Sequence, residues 1–467
     1  MAVRLSLLIA TYLVLSGCAS IDSVEPEIPA LPDHFIEPVQ TSEKAPLGPD
    51  AWWMSFADEK LNNLISLALA NNYSLKASYA RLKQSEAQWG KAGSGQLPSL
   101  DFTLQRSQVW QSSNSNSREF EVGVDASYEL DFWGRVSALD EQALQQYYAM
   151  DAAVNIQTNT VVSQVALSWY GWVKETQQLQ LLHNQQDRIK NALTVVRGRY
   201  LRGKVVASDI WQQEQLLESI NAEIINSETL QDIYRQQLAL WLGKNYLAEE
   251  VFVLPSENYQ IPEILQATEK VSSVALQERP DVLQAYAQLQ AASAGLKVSE
   301  TNRYPRFTLS ASYNRFDDTP EKILTNWIGT FIAGLTVPLF DGGNLAADVR
   351  LNEALVEEQL ANYQQVLLVA MQEIEEALLN EKQQISLQAS VNNQLKLANQ
   401  TQDFNHQRYL QGIGDFLALL TSQQDVLALE RQALGAEFLQ LQYRIQLLTT
   451  LSHGRFSNVD EEEVEDE

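Results

Sequence analysis

Cys18 is the only cysteine in the chain, so no intrachain disulfide can form, and lipid attachment is the job left for its thiol. The other residue types that do chemistry are sparse. His34, His183, His406 and His453 are scattered, and no HExxH pair is present to hold zinc. There is no GKS or GKT phosphate loop and no nucleophile elbow around a serine. Gly412-x-Gly414 lacks the third glycine of a dinucleotide fingerprint and falls between helical stretches rather than after a strand. Four methionines, two of them placed outside the helices at Met1 and Met54, form no ladder of soft ligands, which argues against metal efflux. No catalytic set, cofactor or metal site is expected, and the chain does not read as an enzyme.

Composition narrows the class further. Hydrophobic residues make up 45% of the chain and mean hydropathy is -0.23, which excludes a bundle of membrane helices. A net charge of -26 excludes nucleic acid as a partner, because phosphate binding needs clustered Lys and Arg. Part of that charge sits in residues 454–467, an acidic tail expected to be disordered and solvated. At the other end Arg4 precedes LSLLIATYLVLSG, an apolar run too short to span a bilayer and placed like a signal peptide over residues 1–17. Leu15-Ser16-Gly17-Cys18 resembles the lipobox of bacterial lipoproteins, with Cys18 acylated as the first mature residue. Ala19 rather than Asp follows it, and the lipoprotein resemblance then implies outer-membrane sorting.

The elements that carry these residues follow from periodicity. Residues 18–50, with Pro26, Pro29, Pro32, Pro38, Pro46 and Pro49, read as an extended linker. A first repeat over 51–243 opens with Trp52, Trp53 and Phe56 and a helix pair broken at Asn71-Asn72. It continues with a β-hairpin at about 100–133 and a long helical hairpin at about 135–243. In EFEVGVDASYELDFW, residues Phe120, Val122, Val124, Ala126, Tyr128, Leu130 and Phe132 alternate with polar ones, the period of a two-faced strand. At Gly134 the period switches, and no proline interrupts the helical pattern to Leu201; Gly203 stops that helix and Ser208 or Asp209 is expected to cap the next.

After a linker at 244–271 the pattern repeats over 272–453, with a hairpin at about 306–340 and helices at about 344–453. RYLQG at 408–412 answers RYLRG at 199–203, so a domain-sized unit is duplicated. Four strands cannot close a membrane barrel, and open edges are not tolerated in lipid, so the chain must oligomerise. A dimer supplies about eight strands, a trimer twelve and a tetramer sixteen, and residue pattern alone does not choose.

Five stretches in order resemble the TolC-like outer-membrane channels, in the lipoprotein branch that serves tripartite drug-efflux pumps. They are WWMSFADEKLNNLISLALANN at 52–72, ELDFWGR at 129–135, LQERPDVLQAYAQLQAA at 276–292 with YP at 304–305, VPLFDGGN at 337–344, and the paired RYL-x-G turns. The resemblance implies an α+β membrane protein, trimeric, with a twelve-stranded outer-membrane barrel continued by an α-helical coiled-coil periplasmic tunnel. It also implies a periplasmic adaptor and an inner-membrane RND-type pump as partners, outer-membrane lipid around the barrel, and a passive conduit for drugs or other small toxic compounds.

The same resemblance implies a gate. The family's first hairpin carries Gly then Asp six positions on, matching Gly203 and Asp209; its second carries Tyr three before the turn Gly, matching Tyr409 and Gly412. The latching Arg two residues past that Gly is here Gly414, so Arg408 or Arg202 is expected to replace it. The family's second-hairpin acidic pair falls on Ala418 and Thr421, leaving Asp415 as a single ring, with Phe416 beside it. Gly203, Gly412 and Gly414 mark turns where an adaptor docks. Asp209 as a plain helix cap, Asp415 as a solvated turn residue and Phe416 as packing are the structural alternatives. Two other functions stay open: a type I secretion channel for polypeptides, and a periplasmic adaptor or structural coiled-coil lipoprotein.

Overall fold

The computed structural model describes residues 51–110, 117–245, 259, 274–317 and 327–452. Cys18, the signal peptide, the linkers at 18–50 and most of 244–271, and the acidic tail lie outside the described residues. The chain divides into two units, one built from Gly90–Gln145 and Leu289–Gln364, the other from the remaining helical segments. Among the described residues no helix is long and apolar enough to cross a membrane.

The first unit holds a sheet of order β1-β2-β3-β4, from Ser99–Val109, Ser117–Leu130, Arg306–Asp317 and Trp327–Thr336, all neighbours antiparallel. These lengths suit tilted membrane-spanning strands, which need about 9–11 residues. The register makes the faces continuous. Phe102 lies opposite Val124, Val124 opposite Tyr313, and Ala311 opposite Phe331, and side chains two apart on each strand extend that apolar face. The other face carries Asp101 opposite Asp125, Ser127 opposite Ser310 and Ser312 opposite Thr330, with Val109, Phe316, Ile328 and Ile332 as its apolar exceptions. Leu100, Phe102, Leu104 and Phe331 are 70–73% exposed, so the apolar face has no cover among the described residues. The outer edges of β1 and β4 are likewise unpaired among the described residues.

β2 stops at Leu130, short of the expected Phe132, because Asp131 turns to another task. Its carboxylate accepts Val136 N at 2.9 Å, Ser137 N at 2.8 Å and Ser137 Oγ at 2.7 Å, capping helix α3 (Arg135–Leu201) across Gly134, whose φ is 73°. The second repeat solves the same junction with Asp341, which accepts Gly343 N and Leu345 N at the start of helix α7 (Asn344–Leu410). Preceding these, α1 is Glu59–Asn71 and α2 is Tyr73–Gly93; α3 is followed by α4 (Ala207–Trp241), α5 (Val274–Gln277) and α6 (Pro280–Thr301), and α7 by α8 (Phe416–Leu451). Met54, expected outside any helix, lies in a 3-10 turn at Trp52–Phe56.

In the second unit one core gathers Trp169, Tyr170 and Trp172 of α3 with Trp52, Trp53 and Phe56, with Leu61 and Ile65 of α1, Leu238 of α4 and Leu441 and Ile445 of α8. Asp58 pins it. The carboxylate is buried, caps α1 through Lys60 N and Leu61 N, and accepts the Trp169 indole N–H at 3.0 Å. Arg279 pins another junction, donating to Asp281, to Glu373 of α7 at 2.7 Å and to the Thr450 carbonyl of α8 at 3.2 Å. A buried charge partnered this fully is held rather than penalised. Arg279 and Asp281 belong to the ERPDV stretch, so that motif marks a packing node.

Candidate functional site: the helical turns

A second core of the same unit packs the lower parts of the two hairpins together. Leu182, Ile189 and Val196 of α3 and Leu216 and Ile220 of α4 meet Tyr409 of α7 and Phe416, Leu419 and Leu420 of α8. A polar strap crosses the same contact. Gln185, wholly buried, donates to the Leu427 carbonyl at 3.1 Å and to Glu430 at 2.8 Å, and accepts from Arg431 at 2.9 Å. Arg188 adds a bidentate pair to Glu430.

Both hairpin turns have the same backbone. Gly203 N bonds Tyr200 O at 2.8 Å inside Lys204 N to Arg199 O at 3.0 Å; Gly412 N bonds Tyr409 O at 3.1 Å inside Ile413 N to Arg408 O at 3.1 Å. Gly203 (φ 67°) and Gly412 (φ 79°) are left-handed, so each glycine is what lets its helix end there. Gly414 is different. A Cβ on it would lie 2.7 Å from Tyr409 N and 2.9 Å from the Arg408 carbonyl carbon, so the second turn has no room for a side chain at this position.

The cation near Tyr409 is Arg199, which was not among the expected residues. Its guanidinium carbon stands 4.2 Å from the centre of the Tyr409 ring, and its Nη1 donates to the Tyr409 carbonyl at 3.1 Å. The expected substitutes are elsewhere: Arg408 lies over Phe404 and donates weakly to the Ile413 carbonyl, and Arg202 is exposed beyond the end of α3. Tyr409 itself is 5% exposed and packs its ring 5.7 Å from Phe416. Burial pushes its phenol above the ordinary tyrosine range; Arg199 pulls it down and Asp209 pushes it up, which places both charges in its neighbourhood.

Asp209 does not cap α4. Val206 occupies that position, and Asp209 sits in the first turn, half-buried, where the helix dipole favours a carboxylate. Asp415 holds the cap position of α8 without a side-chain cap bond and is exposed. Phe416 is buried against Tyr409. Structure thus brings Arg199, Asp209 and Phe416 to Tyr409, and leaves Asp415 and Arg408 outside that cluster. The signal for Arg199 was present in the first residue of RYLRG, one position before a tyrosine in both repeats, but nothing in the spacing says which arginine turns inward.

An open antiparallel sheet with one apolar uncovered face, joined through capped glycine turns to duplicated helical hairpins, defines a subunit of an outer-membrane channel. The chain belongs to the outer membrane efflux protein family, whose profile matches residues 64–244 and 271–453. It is 28% identical to the pyoverdine export outer membrane protein OpmQ of Pseudomonas aeruginosa, covering 86% of this chain and 87% of that one. It is 25% identical to the probable outer membrane lipoprotein SilC of Salmonella typhimurium, covering 96% and 98%. The crystal structure of CusC shares the fold, with a TM-score of 0.80 at 22% identity over 91% of this chain and 97% of that chain. The protein therefore works in the outer membrane as a channel of this efflux family, with an α+β fold, mostly helical, four strands among the described residues and an internal duplication. The adaptor-lipoprotein alternative falls with this assignment.

Proposed function

We propose that the chain is the outer-membrane conduit of a tripartite efflux pump, passing drugs or other small toxic compounds outward without changing a bond. Three chains close a twelve-stranded barrel: the unpaired edges of β1 and β4 need partners, and lipid tolerates no open edge. A periplasmic adaptor docks at the exposed turns around Gly203, Gly412 and Gly414 and an RND-type inner-membrane pump drives the cargo. The observation that carries the gating step is the Arg199–Tyr409 contact, which ties the two hairpins of one chain at the turns. Adaptor binding that favours separated hairpins breaks this contact and shifts the population toward open. Asp209 supplies the counter-charge, and Cys18 anchors the N-terminus in the membrane, where each buried methylene adds about 0.8 kcal/mol.

Cross-linking in whole cells followed by purification of the chain tests the assignment. An adaptor and an RND-type pump should be recovered with it. Recovery of an ATP-driven polypeptide exporter instead would establish the type I secretion alternative and overturn the drug-pump reading.

A further inference from the structure

The duplication is broken at the turns, and the break has a direction. The long helix of the second copy starts and ends 209 positions after that of the first, Asn344–Leu410 against Arg135–Leu201, and the helix after each turn starts at the same offset, Phe416 against Ala207, so residues around the two turns correspond one to one. Within the chain, Arg199 of the first copy covers Tyr409 of the second. The reciprocal pair, Arg408 and Tyr200, is not made: Arg408 is exposed and Tyr200 is 44% exposed. The surrounding face follows the same rule. Leu420 is 5% exposed in the core that joins the hairpins, whereas its counterpart Trp211 is 67% exposed. Gln185 is wholly buried against α8, whereas its counterpart Gln394 on α7 is exposed.

We infer that a second copy of this chain covers that face, and that Arg408 stacks on Tyr200 of the partner subunit as Arg199 stacks on Tyr409 within one chain. The inference rests on the trimer proposed above. In a ring of three duplicated chains, the second hairpin of one chain meets the first hairpin of the next in the arrangement already seen between the first and second. The exposed Arg, Tyr and Trp are the matching half of that contact. The ring of turns is then closed by six cation–π clamps, three within chains and three between them. Opening the tunnel end requires both kinds to part, so Arg408 is a positioning residue of the gate despite standing apart from Tyr409.

Paired cysteines test this in outer-membrane vesicles with a short bis-maleimide. Arg408→Cys combined with Tyr200→Cys should give covalent dimers and trimers on denaturing gels. Arg199→Cys combined with Tyr409→Cys should link within one chain and leave the denatured product a monomer. Unheated gels of the natural chain report the trimer separately. A trimer on those gels with no inter-chain product from the Arg408/Tyr200 pair overturns the inference alone. A monomer on unheated gels overturns the trimer, and the inference with it.

Discussion

Replacing Arg199 by alanine removes two interactions at once: the guanidinium over the Tyr409 ring and its bond to the Tyr409 carbonyl. A cation–π contact contributes about 0.5–1 kcal/mol when exposed and about 2 when dry. A hydrogen bond from a charged donor contributes about 1.5–3 kcal/mol. Arg199 is only half-buried, and the Tyr409 carbonyl keeps a second donor in Gly412 N, so the lower ends apply. About 2 kcal/mol per chain is the resulting estimate, a shift of roughly 30-fold in the closed-to-open ratio of each hairpin pair. Single-channel recording in planar bilayers reads this as a larger mean conductance, and cells carrying the variant should become more sensitive to large antibiotics that the intact outer membrane excludes. Arg199→Lys keeps the charge without the planar fork and should fall between the two. A conductance for Arg199→Ala equal to that of the natural chain, with the variant still trimeric, would refute the clamp.

Asp209→Ala should also raise conductance, by less, because Asp209 acts on the same tyrosine through its charge and not through a cap; an unchanged conductance removes it from the gate. Cys18→Ser should abolish labelling by radioactive palmitate, and persistent label would sink the lipobox reading. Glu381 of α7 and Arg444 of α8 form a buried pair 2.6 Å apart, in which burial pushes the carboxyl up and the guanidinium down. Removing one partner, as in Arg444→Met, should cost about 3–5 kcal/mol, whereas the double replacement Glu381→Met with Arg444→Met should be close to neutral. The temperature at which the trimer dissociates on gels separates these outcomes, and a double variant as weak as the single one would contradict the account.

Much of the fold is legible in one strand and one turn. The alternation from Phe120 to Leu130 and the loss of that alternation at Gly134 announce a two-faced strand feeding a helix, because side-chain period is a local consequence of backbone geometry. The twin RYL-x-G turns announce the duplication. These are properties of neighbouring residues, and neighbouring residues are what a sequence records. The end of β2 was misplaced because Asp131 continues the alternation while its carboxylate reaches forward to Val136 and Ser137, a choice visible only once α3 begins beside it.

The gate shows the other side. Sequence placed Tyr409 and Asp209 near the turns but offered Arg408 and Arg202 as the missing cation, while the fold chose Arg199. Successive helical residues point about 100° apart, so which arginine faces a tyrosine on another helix depends on the azimuth at which the hairpins pack. That azimuth is set by Leu182, Ile189 and Val196 meeting Leu419 and Leu420, contacts between residues some two hundred positions apart. The sequence alone determined the strands, helices and duplication; tertiary packing decided which of two near-identical arginines covers a tyrosine within the chain and which is left facing outward.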